Sequence, residues 1–140
     1  MQPIQWLYYI EEYVREGLQL LLNHSNHVAV LLSHKNPKGD YRECLQLHLT
    51  EKCESEAVYA KGQKEVNDLM VKLSKEFKYT VVSIDSIVCP NDVCPGIVNR
   101  TIAFIDPQHL AQNYAQQYLA YPFYERFKES GIDFASLDSL

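Results

Sequence analysis

An α/β layered domain is the fold class this sequence predicts. Helical and strand-like runs alternate along the chain, the strand-like runs are short and rich in β-branched residues, and polar loops follow them. Residues 3–23 open the pattern as an amphipathic helix. Ile4, Leu7, Tyr8, Val14, Leu18, Leu21 and Leu22 recur at helical spacing, and Gly17 is its weak point. Residues 27–32 (HVAVLL) suit a buried parallel strand. Residues 33–56 read as a long polar loop, and a loop of that length in a compact domain is usually functional or stapled. A second helix is expected over 56–78, with Val66, Leu69, Met70, Leu73 and Phe77 on one face. Residues 79–84 (YTVVSI) and 101–105 (TIAFI) supply two more strands. A last helix from Leu110 to about Phe127 turns Tyr114, Tyr118 and Leu119 inward, and 129–140 reads as a flexible tail.

Composition narrows the function classes. A length of 140 residues suits one domain, and 46% hydrophobic residues are enough for a core. The net charge of −5, with no basic stripe, argues against nucleic-acid binding. No apolar run reaches the roughly 18–20 residues that cross a bilayer. The first dozen residues have neither a positive flank nor a small-residue cleavage site, so no signal peptide is expected there.

Chemistry concentrates at Asp106-Pro107-Gln108-His109-Leu110, just past a strand. An Asp three residues before a His can set the imidazole's tautomer and orientation, forming the acid–base half of a hydrolase triad. The same residues also fit a helix start, with Asp106 capping free amides and Pro107 in the first turn. One carboxylate can do both. In an α/β sheet the loops after Leu32, Ile84 and Ile105 gather at the carboxyl edge, where functional groups collect.

The four cysteines form two local pairs, Cys44 with Cys53 and Cys89 with Cys94. Two short-range disulfides suit an oxidising compartment. A four-cysteine zinc site and buried free thiols are the other readings, although the gap between Cys44 and Cys53 exceeds the usual zinc spacing.

A strand, the loop Cys89-Pro90-Asn91-Asp92-Val93-Cys94, a short strand and then Asp106-x-x-His109-Leu110 together resemble the C-terminal part of an SGNH hydrolase domain. The likeness is closest to the SGNH domain fused to bacterial acyltransferase-3 membrane proteins, which O-acylate surface polysaccharides. The helix bearing Trp6, the strand HVAVLL, Lys35-Asn36-Pro37 and Cys44 match the run that precedes this block. The resemblance implies a flavodoxin-like three-layer fold with a mainly parallel sheet, truncated at its N-terminal side, over 1–128. It implies a serine esterase or O-acyltransferase site in which His109 accepts the serine proton and Asp106 orients His109. Among the cysteine readings, disulfides involving Cys44, Cys53, Cys89 and Cys94 are the expectation, with no metal and no cofactor. The partners the resemblance implies are an acyl donor or acylated carbohydrate, and the missing N-terminal part of the domain or a membrane acyltransferase domain. It places the parent protein at the periplasmic or extracytoplasmic face of a bacterial membrane.

The family's nucleophile and oxyanion-hole motifs, Gly-Asp-Ser and Gly-x-Asn-Asp, are absent from this sequence. The chain is therefore expected to be inactive alone. Ala111 and Tyr114 also stand where the family usually has Ser or Thr and Gly. Ser33 follows a strand but lacks the Gly-flanked turn of a nucleophile, and Ser83 and Ser86 share that shortfall. His24, His27 and His34 could suggest a metal, but no carboxylate or thiol is placed with them. Asn23-His24-Ser25 and Asn99-Arg100-Thr101 match glycosylation sequons and mark surface loops. A non-catalytic α/β binding module, with Asp106 only a cap, is the competing expectation.

Overall fold

The computed structural model describes residues 3–42 and 53–132. Helix α1 (Pro3–His24) leads through a short loop to β1 (Ala29–Leu31). β2 (Asn36–Pro37) and β3 (Glu54–Val58) follow, then α2 (Gln63–Ser74) and β4 (Thr80–Val82). A short helix α3 (Asp85–Val88) and a 3-10 turn (Pro90–Asp92) lead into β5 (Val93–Pro95). Two hairpins come next: β6 (Ile97–Val98) with β7 (Thr101–Ile102), and β8 (Phe104–Asp106) with β9 (His109–Leu110). The last helical run joins α4 (Gln112–Tyr114), a π-helical turn (Ala115–Leu119) and α5 (Ala120–Glu129). The molecule is thus mixed α/β.

β1 and β4 pair in parallel, Val30 opposite Val81, and α2 is the crossover between them. Val30 and Val81 share one face of this pair with Leu18 of α1 and Leu69 and Leu73 of α2. Val82 lies on the opposite face, in the larger core with Val88, Phe104, Tyr114 and Leu119. The alternation of Val81 and Val82 between two cores is what a strand covered on both faces requires. Burying Phe104 alone contributes roughly 1.5–3 kcal/mol.

Several expected elements are corrected. The sheet is not mainly parallel: among the described residues β1·β4 is the one parallel pair, and β2-β3-β5 and both hairpins are antiparallel. Residues 54–58 form a strand rather than the end of a loop, because β3 is held between β2 and β5. Pairing on both edges overrides the poor strand propensity of Glu54-Ser55-Glu56. The second helix is shorter than 56–78, since Gly62 takes φ of 84° and turns the chain into α2. Residues 101–105 do not extend the parallel pair but divide between the two hairpins. In the first hairpin Asn99 and Arg100 both have positive φ, the conformation of a two-residue turn.

The last helix meets Pro122, which has no N–H to give Tyr118 and crowds its carbonyl. The chain responds with the π turn at Ala115–Leu119, one turn earlier, and the helix continues to Glu129. Tyr114 and Leu119 are buried and Tyr118 packs on the same core, as the periodicity predicts. Residues 133–140, most of the expected tail, lie outside the described residues.

Cys89 and Cys94 are disulfide-bonded, and both are buried in the larger core. Cys53 is also disulfide-bonded and buried; Cys44, its expected partner, lies outside the described residues. No helix among the described residues is long and apolar enough to cross a membrane.

Candidate functional site

Asp106 and His109 face each other across the tight turn between β8 and β9. The expected helix start is corrected here. Asp106-Pro107 opens a hairpin turn, for which Asp and then Pro are the favoured first two residues. Leu110 pairs with Phe104, and Ala111 N–H donates to the Ala103 carbonyl at 2.8 Å. These long-range bonds hold the segment extended, so the helix begins only at Gln112, after an Ala111 that makes no side-chain cap. Ala111 and Tyr114, the positions that depart from the SGNH pattern, are both buried in the larger core.

The turn fixes the carboxylate. Asp106 Oδ1 accepts the backbone N–H of Gln108 at 2.7 Å and of His109 at 2.9 Å. Both carboxylate oxygens lie within bonding distance of His109 Nδ1, Oδ1 at 2.9 Å and Oδ2 at 2.8 Å. The amide of Gln108, ahead of the His109 ring, holds the Asp106 carboxyl below the usual carboxylate range. An ionised Asp106 assigns the proton to His109 Nδ1 and leaves Nε2 as the free ring nitrogen. Nε2 bonds no partner among the described residues, and the His109 side chain is 68% exposed. The pair can therefore present an oriented acid–base nitrogen to a group arriving from outside.

A groove of about 510 Å³ opens beside this hairpin. Ile105 and Ala111, on either side of the turn, line it with Arg100, Gln112, Asn113 and Gln117.

The candidate serines do not join the pair: no serine hydroxyl bonds His109 among the described residues. Ser33 is held through its backbone, its N–H donating to Asn67 Oδ1 at 3.0 Å and its carbonyl accepting from Asn67 Nδ2 at 2.8 Å. Ser83 and Ser86 anchor Arg126 of α5, which donates to the Ser83 carbonyl at 2.7 Å and to Ser86 Oγ at 3.1 Å. Of the histidines weighed as metal ligands, His24 closes α1, His27 is exposed, and His34 Nδ1 lies 2.8 Å from the Lys35 carbonyl.

A polar cluster that sequence reading missed lies at the carboxyl end of the parallel pair. Asp85 accepts the Lys35 N–H at 2.6 Å and the Tyr59 hydroxyl. Lys35 Nζ pairs with Asp92 at 2.7 Å and sits 5.4 Å over the Tyr59 ring. The cluster ties the loops after β1 and β3 to the Cys89–Cys94 loop. No local motif announces it, because its members come from four separate segments.

Burial, with the Asp85 hydrogen bond second, pushes the Tyr59 phenol up to about 12 from the usual 10.0. A raised phenol contributes stability that is complete below pH 10 and is lost as pH rises through about 12. Tyr59→Phe is therefore expected to remove part of the alkaline fall in stability above pH 10, read by denaturant melts between pH 8 and 12. An identical alkaline profile in the variant would show that Tyr59 stays neutral for no folded-state reason.

In comparisons with known proteins, no family model, no curated protein and no solved structure matches this chain.

Proposed function

We propose that this chain is the C-terminal portion of an SGNH-type serine esterase or O-acyltransferase domain, carrying the acid–base half of its triad. The observation that carries this reading is the 2.8 Å contact between Asp106 Oδ2 and His109 Nδ1, with the carboxylate locked by two turn amides. In this reading Asp106 holds His109, and Nε2 takes the proton of a serine supplied by a segment bearing the missing nucleophile. The serine oxygen then attacks the acyl carbonyl, and His109 returns the proton to the leaving oxygen. The acyl acceptor or donor is a cell-surface polysaccharide, and the setting is the outer face of a bacterial membrane. The disulfide-bonded Cys89, Cys94 and Cys53 are compatible with that setting. The layered SGNH sheet is part of the same proposal, and the β1·β4 parallel pair supports it.

A second reading has its own observation. Asp106 Oδ1 accepts two backbone amides, which is sufficient reason for an Asp in a turn of a non-catalytic binding module.

The purified chain is expected to hydrolyse p-nitrophenyl acetate no faster than its His109→Ala variant. Clear His109-dependent turnover would mean that a nucleophile is present within these residues and would overturn the half-site reading. To separate it from the binding-module reading, a Gly-Asp-Ser-bearing N-terminal half from an acyltransferase-3-linked SGNH domain is co-expressed with the chain. Turnover that needs His109 supports the half-site; a stable complex whose turnover ignores His109→Ala favours the module.

A further inference from the structure

A groove of about 420 Å³ runs beside the Cys89–Cys94 loop, a volume in the range of small-molecule sites. Strand alternation builds it. In β5 Cys94 turns into the core, so Val93 and Pro95 turn outward, and Glu54 of β3 lies opposite Pro95. Pro90 and Asn91 of the disulfide loop and Val98 of β6 extend the walls. Tyr114 of α4 joins them from the larger core, at a position where the SGNH pattern usually has Gly.

The polar groups of this groove are unmatched. Tyr114 is 5% exposed, yet its hydroxyl bonds no partner among the described residues. Nor is that hydroxyl sealed in: Asn36 Oδ1 is the one fully enclosed, unpaired side-chain polar atom among the described residues. The Tyr114 hydroxyl therefore keeps an opening, and the groove that Tyr114 lines supplies one. Burial, with Tyr118 second, pushes its phenol up, so the group stays protonated and donates. The Glu54 carboxylate also bonds nothing among the described residues, whereas Glu56, on the same side of β3, pairs with Lys38 at 3.3 Å. No lysine or arginine among the described residues lines the groove. A buried phenol without a partner forfeits a hydrogen bond that a ligand can restore.

We infer that this groove is a subsite for an uncharged sugar unit, in which the Tyr114 hydroxyl donates to one sugar oxygen and the Glu54 carboxylate accepts from a neighbouring hydroxyl. Sugar hydroxyls both donate and accept, which suits a donor and an acceptor lining one groove. Val93, Pro95 and Val98 offer aliphatic surface to the C–H face of the ring. A carboxylate or phosphate group would meet Glu54 and no cation. An ammonium group would leave the Tyr114 proton without an acceptor. An alkyl chain would desolvate both polar groups and bond neither. A peptide also donates and accepts. The choice of a sugar over a peptide rests on the half-site reading, in which a polysaccharide is the acyl acceptor or donor.

The test follows backbone amide shifts of the full chain by nuclear magnetic resonance. Methyl glycosides of glucose, galactose, mannose and N-acetylglucosamine are each added to about 50 mM, enough to saturate a millimolar site. The expected result is saturable shifts at Asn91, Val93 and Val98 with at least one of the four. Tyr114→Phe and Glu54→Gln are each expected to weaken that binding by about tenfold. Because the hydroxyl has no partner among the described residues, Tyr114→Phe is also expected to leave the melting temperature within about 2 °C of wild type. A larger fall would mean that the hydroxyl is bonded inside the protein, and would overturn the subsite. So would no saturable shift with any of the four sugars, binding that neither variant weakens, or tighter binding of methyl glucuronoside, glucosamine or a tetra-alanine peptide at the same amides. The titration needs neither a nucleophile nor turnover. Sugar binding here, beside turnover that ignores His109 in the co-expressed complex, keeps the groove and removes the half-site reading. Turnover that needs His109, with no sugar bound at these amides, keeps that reading and removes the groove.

Discussion

Gly96→Ala is expected to lower the melting temperature by roughly 10 °C, from a loss of about 3 kcal/mol. Gly96 follows β5 where the chain passes directly over Cys53, at the start of β3. A Cβ at this position would stand 2.6 Å from the Cys53 Cβ and closer still to its carbonyl oxygen. Those are backbone and first side-chain atoms with no rotamer to yield, and Cys53 is further held by its own disulfide. Relief requires β3 and β5 to separate, at a junction that binds the antiparallel sheet to the Cys89–Cys94 loop. Thermal melts followed by circular dichroism measure the effect. A fall of under 2 °C would mean that the two strands part without cost and that the close approach is not a feature of the folded protein.

Replacing Cys89 and Cys94 together is the second large effect. The Cys89→Ala, Cys94→Ala double variant is expected to lose about 2 kcal/mol, the loop-entropy value for a short closed loop. The Cys89→Ser, Cys94→Ser variant is expected to lose more, because both positions are almost wholly buried and a hydroxyl there has to be desolvated. The loop also carries Asp92, which pairs with Lys35, and the Cys94 carbonyl, which accepts the buried Tyr41 hydroxyl at 2.6 Å. Loosening the loop therefore weakens contacts on two sides. Denaturant melts with and without reductant check this; equal stability of the wild type in both conditions would remove the structural role of the disulfide.

Much of the helical part was legible because its signal is local. The apolar spacing of Leu7, Val14 and Leu18 announces α1, and the same period announces α2 and the inward face of the last helix. HVAVLL and TVV are runs that suit a strand covered on both faces, and they pair as β1 and β4. β3 was not legible: Glu54-Ser55-Glu56 has no strand character until β2 and β5 lie along its edges. The antiparallel hairpins were missed for a related reason. Two-residue strands are too short to show a period, and only their partners define them.

The candidate site divides in the same way. The spacing Asp106-x-x-His109 brings a carboxylate and an imidazole together in a helix start and in a tight turn alike, so the pair was readable without the fold. Which of these it occupies was decided by Phe104 and Ala103, whose backbones hold Leu110 and Ala111 extended. The Lys35–Tyr59–Asp85–Asp92 cluster was invisible for want of any sequence proximity. By itself the sequence determined the amphipathic helices, the two parallel strands, the local pairing of Cys89 with Cys94 and the meeting of Asp106 with His109. All of these follow from interactions between residues a few positions apart or from a period within one element. The tertiary structure decided the antiparallel sheet and the turn that holds Asp106. Each of those depends on which distant backbone is, or is not, within hydrogen-bonding reach.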